Sequence, residues 1–243
     1  MEAELKGTTM PILEVSLTQG EQLVSTHGEL AWMTPGIQMS QTTSTGGGGG
    51  FMKGLKRAIG GGGLFLTRYE GPGSVTFAAK VPGHILPVDI APDQPYYVHH
   101  HGWMCGTAGI TPSMGLQQSF RGGLFGGEGF VLQKLEGEGR AWIELSGELT
   151  SHELAPGETL LVHPGHVGMF QGSVQFQITQ LKGIANKFFG GDGFFLVALT
   201  GPGQVWLQSM PLAQLAAALT PYLPQASGAG AVEGGIIGSM LRS

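Results

Sequence analysis

The chain has 243 residues and a net charge of −5; 12% of its residues are charged, 41% are hydrophobic, and 44 are glycine. So few cations argue against general binding to nucleic acid or anionic lipid, both of which need clustered positive charge. The apolar share excludes a solvated disordered chain, and a single cysteine, Cys105, excludes a disulfide framework or a thiolate zinc site.

The N-terminus, Met1 to Leu5, is acidic and lacks the basic-then-apolar order of a signal peptide. No run approaches the ~18 apolar residues of a spanning helix. The expectation is a cytoplasmic protein with no spanning membrane segment. Residues 11–39 read as alternating strands around Ile12 to Val15, Leu23-Val24 and Leu30 to Trp32, with turns at Gly20-Glu21 and His27-Gly28. Gln41 to Gly50 has flexible-linker composition and is expected as a surface loop. Phe51 to Ile59 is compatible with one or two amphipathic helical turns.

Next comes a phrase that returns twice more. Gly60-Gly61-Gly62-Gly63-Leu64-Phe65-Leu66 leads to Gly71-Pro72-Gly73, Gly126-Gly127-Glu128-Gly129-Phe130-Val131-Leu132 to Gly137-Glu138-Gly139, and Gly190-Gly191-Asp192-Gly193-Phe194-Phe195-Leu196 to Gly201-Pro202-Gly203. Both elements are offset by 66 and then 64 residues, so the whole unit repeats in lockstep. Each copy is expected to be a β-hairpin closed by the Gly-x-Gly turn. After the turn Val75/Phe77, Ala141/Ile143 and Val205/Leu207 face one way; before it the columns Leu66/Leu132/Leu196 and Tyr69/Leu135/Leu199 are apolar in all three copies. Arg68/Lys134 and Glu70/Glu136 give a polar outer face. The third copy has Ala198 and Thr200 there, as expected of a face that is more buried or set against a partner. An opening segment also recurs, as Gly20 to Met33, Asp93 to Met104 and Gly157 to Met169. Three pseudo-repeats follow, about 10–90, 91–154 and 155–219, within a single all-β domain over residues 1–222. A C-terminal helix is expected from Ser209 as N-cap through Leu212, Leu215 and Leu219, stopped by Thr220-Pro221. A Gly/Ala-rich tail occupies 223–243.

The Gly-Gly-x-Gly phrases, the Lys53-Gly54-Leu55-Lys56-Arg57 run and Val81-Pro82-Gly83-His84-Ile85 together resemble the bacterial relatives of the "altered inheritance of mitochondria" family, over roughly residues 10–220. The resemblance implies a short double-stranded β-helix, or β-sandwich, of three attenuator-like units with ring-like assembly, a trimer being favoured. Mitochondrial members are implicated in inner-membrane organisation and respiratory-complex upkeep. The bacterial members bring no catalytic residues to carry over.

Three functions remain open at this point. The first is a non-catalytic oligomeric scaffold without cofactor or metal, whose partner is itself and possible other proteins, not nucleic acid. The second is a small-ligand module at repeat or subunit interfaces. The third is a cupin-like metalloenzyme using His99, His101 and His163 or His166, since imidazole suits Zn, Fe or Ni and strand alternation would put His99 and His101 on one face. No carboxylate follows that pair at the spacing such a site needs, so structural histidines are the simpler reading. Phosphate-loop readings of the glycine phrases fail. The run after Gly193 is strand-like, and the chain contains no Gly-Lys. Cys105 reads as a small buried hydrophobe.

Overall fold

The computed structural model describes residues 1–43, 64–118, 130–180 and 195–223. The glycines of the three phrases, the Lys53–Arg57 run, the rest of the 41–50 loop, the helical turns expected over 51–59, and the tail beyond residue 223 lie outside those residues. Within them the chain is mostly β, with one short α-helix near the C-terminus.

Nineteen strands are described, and they form four antiparallel sheets. After β1 (Glu2–Lys6) come β2 (Ile12–Leu17), β3 (Gln22–Thr26), β4 (Leu30–Met33), β5 (Gln38–Thr43), β6 (Phe65–Glu70) and β7 (Gly73–Ala78). The next six are β8 (Gly83–Ile90), β9 (Tyr96–His99), β10 (Trp103–Thr107), β11 (Ile110–Gln118), β12 (Phe130–Gly137) and β13 (Gly139–Ser146). The last six are β14 (Leu149–Leu154), β15 (Thr159–Val162), β16 (Val167–Gln171), β17 (Gln175–Gln180), β18 (Phe195–Thr200) and β19 (Gly203–Gln208).

Each set of six pairs in one scheme. The sixth strand lies between the first and third, and the fifth lies between the second and fourth. A register shift falls at the same place in each third strand, between Leu30 and Trp32, Trp103 and Cys105, and Val167 and Met169. Adjacent sets are joined by the second strand of one and the third of the next, β3 with β10 and β9 with β16.

This scheme corrects the expected hairpins. β6 and β7, flanking Gly71-Pro72-Gly73, sit in different sheets, as do β12 and β13, and β18 and β19. The Gly-x-Gly turns are corners where the chain crosses from one sheet to the other. Glycine is required there by close backbone approach: a Cβ on Gly201 would fall 2.5 Å from both Leu154 O and Ala155 O. The consecutive strands that do pair are β5–β6, β11–β12 and β17–β18, together with β1–β2. Part of the expected 41–50 loop is strand, because Gln41, Thr42 and Thr43 pair with Thr67, Leu66 and Phe65.

Alternation places the core between the sheets. Of the repeated columns, Val75, Phe77, Leu132, Leu135, Ala141, Ile143, Leu199 and Val205 are fully enclosed, as is Leu13, whereas Leu196 and Leu207 of the third copy are half-buried. Among the described residues, Trp103 and Tyr69, each 1% exposed, are the largest fully buried side chains; each removes about 150–250 Å² from water. The helix α1 (Leu212–Leu219) begins later than expected. Pro211 holds the N-cap position, and Ser209 Oγ accepts the Glu148 N–H at 2.8 Å. None of its residues is fully buried, and Leu219 is 49% exposed.

Candidate functional site

The candidate histidines lie in two turns that border one recess. β9 ends at His99, and His100 to Gly102 form the turn into β10. The alternation that would align His99 with His101 therefore stops between them. His99 is half-buried and donates from Nε2 to Glu144 O at 3.2 Å, whereas His101 is exposed. Burial, chiefly, lowers the His99 pKa to about 4, with the neighbouring His100 and His101 acting in the same sense and the Glu144 bond opposing.

His163 and His166 flank a single 3₁₀ turn, with ring centroids 5.7 Å apart. Burial, chiefly, lowers the His163 pKa, with the neighbouring His166 imidazole acting in the same sense. His166 Nδ1 donates to Gln208 O at 2.8 Å, leaving Nε2 to accept from Gln214 Nε2 at 3.3 Å, so both ring nitrogens are engaged by one neutral tautomer. Thus His99 and His166 each donate to a backbone carbonyl, of residues 144 and 208. Among the described residues no group of three or more His, Cys, Asp or Glu side chains is arranged to hold a metal ion. A mostly apolar recess of about 100 Å³ lies between the His99–His101 turn, Phe130, Gly165, Gln208 and Pro211. Cys105 is 0% exposed, and burial pushes its thiol well above the usual range, so it is no thiolate nucleophile.

The sequence reading missed a charged group at the junction of the first two strand sets. Glu144, on β13, is 6% exposed at the side chain and Glu29, in the β3–β4 turn, 8%. Lys80 serves both: its Nζ lies 2.5 Å from Glu29 and 3.6 Å from Glu144, and its N–H donates to Glu144 Oε1 at 2.7 Å. Oε2 of each acid is buried without a hydrogen-bond partner. Registers make Ala78, Glu144 and Gln208 equivalent, since Leu30, Trp103 and Val167 pair with the preceding Phe77, Ile143 and Leu207. At the second junction Gln208 does with an amide what Glu144 does with an acid. Its Oε1 accepts the Ser146 N–H at 3.1 Å, and its Nε2 donates to Gly165 O at 3.1 Å. A polar column in an otherwise apolar alternation was the signal available for this feature.

Among the described residues, two strands stand at sheet ends where their counterparts are joined. β4 ends the first sheet, and β15 ends the last. The counterparts of β4 are β10 and β16, which pair with the preceding set; those of β15 are β3 and β9, which pair with the following set. Exposure follows this difference. Trp32 is 54% exposed, whereas its counterparts Cys105 and Met169 are enclosed; Leu161 is 51% exposed, whereas Val24 is 4%. Met33, at 37%, corresponds to the enclosed Phe170.

Residues 3–210 match a family model described as mitochondrial biogenesis AIM24. An uncharacterized protein of Streptococcus pyogenes serotype M6 is 26% identical over 225 residues, covering 89% of this chain and 88% of its own. The crystal structure of a protein from Streptococcus pyogenes superposes with a TM-score of 0.72 at 21% identity, over 91% of this chain and 99% of that one. That last likeness is one of fold.

Proposed function

The chain belongs to the mitochondrial biogenesis AIM24 family, and from that premise we propose that it is a non-catalytic, homo-oligomeric interaction protein. In this reading its three strand sets are the attenuator-like units of one short double-stranded β-helix or β-sandwich. Three copies joined end to end make a nine-unit ring that organises larger assemblies. The observation that carries the reading is the pair of open ends. Trp32 and Leu161 are about half exposed on strands whose in-chain counterparts are covered. Unpaired strand edges with apolar side chains invite pairing with another chain. Because the two ends differ, the contact is heterologous, and repeated copies either close into a ring or run on as a filament. The Ala198 and Thr200 face of β18, beside β15, fits the same contact.

Light scattering of the untagged protein tests this. A particle of about 76 kDa, three times the 25.4 kDa chain, is expected at micromolar concentration. A clean 25.4 kDa monomer would sink the reading.

A further inference from the structure

We infer the residue register of the contact between copies: β15 of one copy pairs antiparallel with β4 of the next, with Val162 opposite Trp32, Leu161 opposite Met33 and Leu160 opposite Thr34. This inference rests on the oligomeric reading above and gives it atoms.

The register comes from the two junctions inside the chain. At the first, Cys105 lies opposite Ser25, Gly106 opposite Val24 and Thr107 opposite Leu23. At the second, Met169 lies opposite Val98, Phe170 opposite Tyr97 and Gln171 opposite Tyr96. The sixth strands align the third strands, because Trp32, Cys105 and Met169 pair with Thr76, Trp142 and Trp206, three equivalent positions. The fifth strands align the second strands, because Val24, Tyr97 and Leu161 pair with Arg68, Lys134 and Ala198. Carrying both alignments to the free ends leaves one pairing.

The side chains fit that pairing. Trp32, Met33 and Leu161 are apolar and uncharged, so they meet without stranding a charge. The residue opposite Trp32, Val162, is 6% exposed and packed in a hydrophobic cluster, as the enclosed Val98 is at the second junction. The side-chain clasp differs. Ala78 stands where Glu144 and Gln208 stand, and Met210 where Lys80 and Ser146 stand. The junction between copies therefore lacks that clasp and rests on strand pairing and apolar contact. A second copy is the occupant these ends fit, because each chain carries both halves of a joint that it already makes twice internally.

Directly opposed residues of an antiparallel pair have Cα atoms about 4.5–5.5 Å apart, within disulfide range. The Met33→Cys/Leu161→Cys double variant, oxidised mildly, is expected to give linked dimers and trimers on a non-reducing gel. Cys105, enclosed in the core, supplies no background. The Met33→Cys/Thr159→Cys control, two residues out of register, is expected to give about ten-fold less linked product. A charge test accompanies it: Met33→Lys and Leu161→Glu each reduce the particle to single chains, and the double variant restores the larger size. An oligomer that neither links above the control nor shows rescue overturns the register and leaves the scaffold reading standing. A wild-type monomer overturns both.

Discussion

Replacing Glu144 with glutamine is expected to stabilise the protein at neutral pH, although it removes an ion pair. Oε1 accepts the Lys80 N–H at 2.7 Å, and an amide oxygen keeps that bond. The other oxygen is buried without a donor, and its nearest cation is Lys80 Nζ at 3.6 Å. Lys80 is 45% exposed and sits closer to Glu29, at 2.5 Å, so its remaining attraction to Glu144 is about 0–1 kcal/mol. A charged oxygen buried without its bond costs more than a neutral polar group in the same position, which the amide substitutes. The balance favours the amide by about 1 kcal/mol, which moves the melting temperature of a chain this long by about 2–4 °C. The pH dependence gives a second readout. Burial, chiefly, raises the Glu144 pKa above its ordinary 4.5, with Glu29 adding to it and Lys80 opposing. A raised carboxyl pKa contributes stability that is fully present below the unfolded value and is lost as pH rises through the folded value. The advantage of Glu144→Gln should therefore appear at pH 7 and shrink away below about pH 4.5. Thermal melting of both proteins by circular dichroism across that range measures it. A variant that melts lower at pH 7, or keeps one constant difference at every pH, would refute the reasoning.

The corners and the histidines give two further expectations. Gly201→Ala puts a Cβ 2.5 Å from two carbonyl oxygens, whereas Gly157→Ala meets no atom within 4 Å and only the strain of a φ of +81°. Urea midpoints should place Gly157→Ala about 1 kcal/mol below the parent and Gly201→Ala well below that; equal losses would contradict the corner geometry. His99, with its pKa lowered to about 4, contributes stability that is present above pH 6.5 and lost as pH falls through 4. His99→Gln, which does not titrate, should flatten the acid limb of the melting curve over that interval, and parallel curves would argue against a buried neutral imidazole.

Much of the fold could be read from residues. The 66- and 64-residue offsets located strands that the structure contains, and the columns through Tyr69, Leu135 and Leu199 are buried as alternation requires. The pairing partners could not be read in the same way. Two alternating runs separated by a Gly-x-Gly turn look identical whether they fold back as a hairpin or cross to the opposite sheet. The distinction lies in backbone contacts such as Gly201 against Leu154, 47 residues away. Ser209 looked like an N-cap for the same reason: the local pattern carries no trace of Glu148, whose N–H it binds. The histidines illustrate the converse limit. Alternation over Val98 and His99 was sound, but the strand ends at His99, and nothing in the spacing marks that end.

The same comparison of equivalent positions separates stability from assembly. Both internal junctions place a buried polar side chain beside the preceding set, Glu144 in one and Gln208 in the other, each accepting a backbone N–H. Leaving such a group without its partner costs about 1–3 kcal/mol, so a free end carrying one would be penalised whenever copies were apart. The free end has Ala78 instead, which needs no partner. The exposed residues that remain, Trp32, Met33 and Leu161, tolerate water at only the cost of apolar hydration, about 25 cal/mol per Å². An end built this way can stand open before assembly and still favour closure, whereas the internal junctions are joined by the chain itself and can hold polar groups that a separable joint could not.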